Sequence, residues 1–361
     1  MVEDWRLPAR VRAVSFVRDF FPMTPPTPRP RSSQPKRTVS IIGTGSYVPE
    51  KVLTNADLAL LVETNDEWIV TRTGIRERRI AADDEATSDL ATQAALAAME
   101  NAGITAEDID LILVATVTPD MAFPSTACFV QHKIGAKNAA CFDVSAACSG
   151  FLYAIEIAQQ FITSHTYDTI LVIGAEKLSS IVDWTDRNTC VLFGDGAGAA
   201  ILQHRSGGHG VISTFMGSDG GLADILQIPG GGSRTPTTKD NADQRLNCIK
   251  MNGKETYKHA VTSMLDAANR ALADTNITPA DLACIIPHQA NLRIIEAIAS
   301  RMDVPMERFV INLDRYGNTS AAAVAIALDE ANRTGRMKVG DYVLLVVFGG
   351  GLTWASSVIQ W

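Results

Sequence analysis

One stretch of this 361-residue chain sets a thiol where chemistry could use it. Residues 142–155 read FDVSAACSGFLYAI: an apolar strand pattern ends in three small residues, then Cys148, then Ser-Gly and a helical run. That spacing predicts a sharp strand-to-helix turn carrying the thiol. Small neighbours let a substrate approach, and a helix N-terminus favours the thiolate, the nucleophilic form, with the logic of a serine nucleophile elbow. The competing reading is a buried cysteine packing as a small hydrophobe. It is the reading taken for Cys128, Cys141, Cys190, Cys248 and Cys284, none of which sits in such a turn.

A thiolate nucleophile needs a proton carrier and a stabiliser of developing charge. Among the six histidines, His288 alone follows an apolar strand (ACIIP) and opens a helix (HQANLRIIEAI). Asn318, in RYGNTSAAAVAI, has two readings, a helix N-cap or an amide donor to a charged oxygen. In FGGGLTW (348–354) the glycines read as a turn or as backbone brought close to a ligand, with an amide N–H aimed at an oxyanion. Gly43-Thr-Gly45 and Gly194-Asp-Gly-Ala-Gly198 lack the dinucleotide-binding context and exclude an argument for NAD.

These residues sit at strand ends. Strands are expected at 39–43, 109–116, 139–144, 169–174, 197–203, 210–215, 283–287, 308–312, 342–348 and 355–360. Helices are expected at 55–62, 66–73, 87–102, 150–163, 254–273, 292–301 and 320–333. Apolar strands spaced by amphipathic helices imply an α/β layered architecture with sheets buried on both faces. The chain also repeats itself. AGITAEDIDLILV (102–114) aligns with TNITPADLACIIP (275–287), and YDTILV (167–172) with GDYVLL (340–345), at an offset of 173. At an offset of 170 the turn around Cys148 falls on Asn318. Two duplicated halves, 39–209 and 210–361, are therefore expected to meet along a shared face, where α/β sheets bind ligands.

Composition bounds the partners. Hydrophobic residues make up 46% and charged residues 20%, so the chain is globular rather than disordered. Residues 1–38 carry eight basic against three acidic side chains and seven of the fifteen prolines. The overall charge of −8 thus divides into +5 for this extension and −13 for the body. An acidic body disfavours nucleic acid, and no run is long and apolar enough for a membrane span. Helical spacing of Leu7, Val11, Val14, Val17 and Phe21 precedes a proline-rich stretch. The extension reads as a transit peptide, a solvated disordered tail or an overlong translation start. Six scattered cysteines without a CxxC pair suggest free thiols and a cytoplasmic protein.

GTGSYVPE (43–50), TNDEWIVTRTGIRERRI (64–80), AFPSTAC (122–128), DVSAACSGF (143–151), FGDGAGAA (193–200), PHQANLRII (287–295), DRYGNTSAA (314–322) and FGGGLTW (348–354) together resemble the β-ketoacyl-[acyl-carrier-protein] synthase III family of the thiolase-like superfamily. The likeness runs from about Val39 to Trp361 and leaves out the leader. It implies a thiolase-like αβαβα sandwich and a catalytic set of Cys148, His288 and Asn318, with the N–H groups of Cys148 and Gly350 as the oxyanion hole. PHQAN and GNTS set the chain apart from Cys-His-His elongating relatives and from the hydroxymethylglutaryl-CoA branch.

The implied reaction starts type II fatty acid synthesis. A short acyl-CoA, acetyl-CoA foremost, acylates Cys148 and is condensed with malonyl carrier protein by decarboxylation. Coenzyme A enters as substrate, and no metal or redox cofactor is implied. Thr64, Trp68, Arg72, Arg187 and Asn291 are the implied coenzyme A contacts. Gln289, Ala290, Asn291, Leu292, Arg293, Lys258 and Arg301 are the implied acyl carrier protein contacts. Phe123 is implied to reach a partner's acyl pocket in a homodimer. Rival readings are a condensing enzyme or acyltransferase of specialised metabolism with the same fold, and a catalytically idle scaffold.

Overall fold

Two larger sheets organise the described residues, which are 37–205, 207 and 209–361 of the computed structural model. The helix expected in the leader lies outside them. The first half runs β1 (Val39–Tyr47), β2 (Lys51–Thr54), α1 (Asn55–Leu58), α2 (Asp66–Thr73), β3 (Glu77–Ile80), α3 (Thr87–Ala102), β4 (Leu111–Ala115), α4 (Thr126–Ile134), β5 (Ala140–Val144), α5 (Gly150–Thr163), β6 (Thr169–Glu176), α6 (Arg187–Cys190) and β7 (Gly196–His204). The second runs β8 (Gly210–Ser218), β9 (Leu226–Gln227), β10 (Lys250–Met251), α7 (Gly253–Ala273), β11 (Leu282–Pro287), α8 (Leu292–Met302), α9 (Leu313–Tyr316), α10 (Ala322–Arg333), β12 (Tyr342–Gly349) and β13 (Thr353–Gln360).

The first sheet has the order β1-β7-β6-β4-β5 and the second β11-β12-β13-β8. Alternate residues of each strand feed different cores, as a period of two requires. Leu111, Leu113, Val343 and Leu345 join one core with Phe151 and Ile155 of α5 and Val324 and Leu328 of α10. Ile112 and Val114 face the other way, onto Leu90 and Ala94 of α3. Leu344 and Val346 likewise face Met264 of α7 and Ile295 of α8. The result is five layers, with α5 and α10 between the sheets and α3 and α7 outside them. Gly45 in the GTG segment serves this packing, since a Cβ there would lie 2.2 Å from the Ala98 nitrogen of α3.

The repeat is visible at an offset of 173. Thr105 and Thr278 open matching turns with the same capping box, closed by Asp108 and Asp281. Ala147 and Ser320 share a left-handed backbone, with φ of 46° and 49°. That equivalence corrects the offset of 170 around Cys148: Ala321, not Asn318, occupies the matching position.

Two other expectations change, and one strand goes unread. The strand expected at 308–312 reduces to a single bridge between Ile285 and Phe309. The helix expected at 55–62 stops at Leu58, and Leu60 and Leu61 beyond it are exposed. Strand β3, sequence ERRI, carries three charges in four residues and shows no apolar periodicity to read.

Candidate active site

Cys148 sits at the strand-to-helix turn that its neighbours predict. β5 ends at Val144, a single tight turn spans Ala147–Ser149, and α5 begins at Gly150. His288 follows β11, its backbone N–H donating to Val346 O of β12 at 2.8 Å. Asn318 follows α9, where its N–H donates to Leu192 O at 2.8 Å and its carbonyl accepts from Gly194 N–H at 3.1 Å. All three side chains are buried, and all three line one cavity of about 1000 Å³. The Asn318 side chain is not the N-cap of α10, a position held by Ala321. Its Oδ1 accepts from Ser320 N–H at 2.8 Å, which turns the amide NH2 outward as a donor.

The Gly350 turn joins β12 to β13, as the bland reading has it, and also approaches the Cys148 turn. A Cβ on Gly350 would lie 3.6 Å from Ala147 Cβ, and one on Gly349 would lie 2.7 Å from Cys148 N. Phe193 and Phe348 line the same end of the cavity, both nearly buried.

Electrostatics at this end correct one expectation. Burial lifts the Cys148 thiol from 9.0 to about 12, with the Glu176 charge adding to the rise and a Ser320 hydrogen bond opposing it. A helix N-terminus contributes about 0.3–1 kcal/mol, up to about 2 when partly buried, or roughly one pKa unit, which is less than the burial effect. The resting group is therefore a thiol. Burial also lowers His288 from 6.5 to about 4, so the imidazole is neutral and able to accept a proton. Its Nδ1 is buried with no hydrogen-bond partner.

Glu176, which the sequence reading missed, ends β6 fully buried. It accepts from Thr118 Oγ1 at 2.7 Å and from Val117 N–H at 3.1 Å. Burial raises it to about 7. A hydroxyl interaction from Ser320 lowers both the Cys148 thiol and the Glu176 carboxyl, against the effect of burial. A lone glutamate after an apolar strand carries no sequence signal of such a position.

The same cavity also has a cationic and aromatic lining, with Trp68, Arg72, Lys250, Lys254 and Arg293 among its residues. Arg72 and Arg187 guanidinium carbons lie 4.7 and 5.1 Å from the Trp68 ring centroid, within cation–π range. A planar base entering between Trp68 and Arg187 has to displace that guanidinium, which also donates to Glu63 O at 2.8 Å. Thr64 Oγ1 is buried and unpaired. Lys250 and Lys254 line the same cavity and went unread in the sequence.

Asn291 lines the cavity while both ends of its side chain are engaged, Nδ2 donating to Arg72 O at 3.0 Å and Oδ1 accepting from Arg293 N–H at 2.9 Å. Gln289 is a correction. It is 1% exposed, donates to Pro287 O and Val310 O and accepts from Asn312 N–H, so it cannot touch a docking protein. Arg293, Lys258 and Arg301 are exposed and Ala290 and Leu292 half-buried. Arg293 stands over Tyr257, 5.9 Å from the ring centroid. Phe123 is 84% exposed on the loop before α4.

Two family models match, the C-terminal and the main 3-oxoacyl-[acyl-carrier-protein] synthase III models, over residues 272–361 and 142–220. The chain is 56% identical over 326 residues to a beta-ketoacyl-[acyl-carrier-protein] synthase III of Caldanaerobacter subterraneus subsp. tengcongensis, covering 90% of this chain and 98% of the relative. It is similar to the crystal structure of 3-oxoacyl-[acyl-carrier-protein] synthase III from Aquifex aeolicus VF5, with TM-score 0.83, 47% identity, and coverage of 90% and 100% of the two chains. It is also similar to a priming beta-ketosynthase from the R1128 polyketide biosynthetic pathway, with TM-score 0.83, 35% identity, and coverage of 90% and 97%.

The neutral thiol makes a testable statement. Alkylation of Cys148 by iodoacetamide, followed on its own peptide by mass spectrometry, should accelerate about tenfold per pH unit from about pH 6 to about pH 9, because only the thiolate reacts. A rate that levels off below about pH 8 contradicts a buried thiol.

Proposed function

On the premise that this chain belongs to the β-ketoacyl-[acyl-carrier-protein] synthase III family, we propose that it condenses a short acyl-CoA with malonyl carrier protein through an acyl-Cys148 intermediate. The observation that carries the reading is one cavity lined both by the buried Cys148, His288 and Asn318 and by Trp68, Arg72, Lys250 and Lys254. A long thioester with an aromatic base and phosphates at its far end matches that polarity. Identity to the beta-ketoacyl-[acyl-carrier-protein] synthase III of Caldanaerobacter subterraneus, 56%, exceeds the 35% to the polyketide priming synthase and favours the first of these over specialised metabolism.

The residues then act in sequence. Coenzyme A stacks its base near Trp68 and sets its phosphates among Arg72, Arg187, Lys250 and Lys254, with Thr64 and Asn291 alongside. Cys148 Sγ attacks the thioester carbonyl as its proton passes to neutral His288. The oxyanion is held by the N–H groups of Cys148 and Gly350. Coenzyme A departs with that proton, and the acyl group stays on Cys148.

Malonyl carrier protein follows. Its carboxylate leaves as carbon dioxide, and the enolate oxygen accepts hydrogen bonds from His288 and from the Asn318 amide. The carbanion attacks the acyl carbonyl, the C–S bond breaks, and the Cys148 thiolate takes a proton from water, the one proton the overall reaction consumes. Decarboxylation supplies both nucleophile and driving force, so the chemistry calls for no metal or redox group.

Exposed Arg293, Lys258 and Arg301 form the surface we assign to an acidic carrier protein, beside half-buried Ala290 and Leu292. A homodimer is supported by the free outer edge of β5, where an unpaired strand invites a second strand, and by exposed Met121, Phe123 and Phe142. Six free cysteines fit a reducing, cytoplasmic setting.

Cys148→Ser should fold as the parent does and take up no acyl group from acetyl-CoA when the intact mass is measured; an adduct on another cysteine contradicts the assignment. Arg293→Glu should raise the KM for malonyl carrier protein by about tenfold, by reversing one charge at a docking surface, with little change for acyl-CoA. Equal changes in the two constants count against this surface.

A further inference from the structure

Arg78 is fully buried on β3, inside the GIRERRI segment to which no role has yet fallen. Its Nη1 donates to Leu53 O at 3.2 Å and to Asn55 Oδ1 at 2.9 Å, and its Nη2 donates to Val191 O at 2.8 Å. All three acceptors are neutral, and Nε has no partner. Burial pulls the guanidinium down to about 10, which still leaves it charged at neutral pH. A buried cation held only by neutral acceptors is costly, and an apolar side chain of similar volume would fill the same space without that cost.

The compensation lies in what the guanidinium holds. Val191 is the residue before Leu192, whose carbonyl accepts the Asn318 N–H, and Gly194 donates back to the Asn318 carbonyl. Residues 191–194 therefore bracket Asn318 from one side. Arg78 lies directly beneath that bracket: a Cβ on Gly194 would lie 3.0 Å from Arg78 Cβ, and one on Gly317 would lie 3.3 Å from it. The next residue of β3 completes the attachment, Arg79 O accepting from Asp195 N–H at 2.8 Å. Asn55, the second anchor, is fixed in turn by donating to Asp66 Oδ1 and Ile75 O. Cys148 and His288 hang from other elements, α5 and the end of β11.

We propose that Arg78 is a positioning residue for the Asn318 amide, and through it for the decarboxylation half of the reaction rather than for acyl transfer to Cys148. The proposal rests on the role given above to Asn318. Planar guanidinium reaches two directions at once, and a lysine ammonium at the same place cannot reproduce that fork. Loss of the fork frees the Val191 carbonyl, and displacement of a positioned group by a fraction of an ångström is felt in rate.

The test separates the two half-reactions in the full-length enzyme. Acyl transfer is read as coenzyme A released from acetyl-CoA, and decarboxylation as labelled carbon dioxide released from malonyl carrier protein. Arg78→Lys should lose decarboxylation by at least about tenfold while acyl transfer stays within about threefold. Asn318→Ala should lose decarboxylation, and adding Arg78→Lys to it should cost nothing further, as expected of two residues acting through one group. A folded Arg78→Lys enzyme that loses both half-reactions equally, that loses neither, or whose loss adds fully to that of Asn318→Ala overturns the proposal.

Should Arg78→Lys fail to fold, Asn55→Ala removes one anchor of the fork and should show the same split at about threefold; equal loss of both activities, or loss of neither, overturns it there. If Asn318→Ala itself retains decarboxylation, the role of Asn318 falls. If Asn318→Ala loses decarboxylation and Arg78→Lys does not, only the role of Arg78 falls.

Discussion

The two sheets can share one active site only because backbone meets backbone between them without side chains in the way. A Cβ on Gly349, at the end of β12, would lie 2.7 Å from the Cys148 nitrogen, and one on Gly174, in β6, would lie 2.2 Å from Ala321 O. Contacts this short have no room for a methyl group, and a packed core does not yield readily to one. They draw the entry turns of the two central helices against strands of the opposite half. Gly150 at the start of α5 would likewise set a Cβ 2.9 Å from Ala115 Cβ and 3.6 Å from Ala321 Cβ. From that close approach follow the burial of Cys148, the nearness of the Gly350 turn and the common cavity with His288 and Asn318.

Burial then sets the chemistry. It holds Cys148 as a thiol near 12 and His288 as a neutral imidazole near 4, so the resting pair carries no charge. In the proposed reaction charge appears only when a thioester carbonyl takes up the sulfur's electrons, and the same neutral imidazole afterwards has an N–H to give the enolate. Glu176, raised to about 7 by the same burial, opposes ionisation of the Cys148 thiol when it is charged.

Much of this was legible in the sequence where local pattern and tertiary demand agree. Helices 66–73, 87–102 and 150–163 begin and end where their periodicity and flanking residues say, and the apolar runs of β4, β6, β11 and β12 are strands buried on both faces. The Cys148 turn was readable from Ser-Ala-Ala before it and Ser-Gly after it. The resting thiol was not, since desolvation depends on the opposite half folding over the turn. Strand β3 was hidden because Arg78 is buried despite its charge, and hydrophobic patterning cannot announce a buried arginine. Gln289 looked like surface for its position in PHQAN, yet its amide is spent on three backbone groups. Asn318 was found through an approximate internal match, which the paired left-handed residues Ala147 and Ser320 move by three positions.

At the centre of the proposed reaction is an acyl group that Cys148 takes from coenzyme A and surrenders to malonyl carrier protein. Intact-mass measurement of the enzyme after acetyl-CoA, and again after malonyl carrier protein, tests that most directly. A single acetyl adduct that disappears as acetoacetyl carrier protein forms is the expected result. An adduct that persists in the presence of malonyl carrier protein, or acetoacetyl product formed without an adduct, would contradict it.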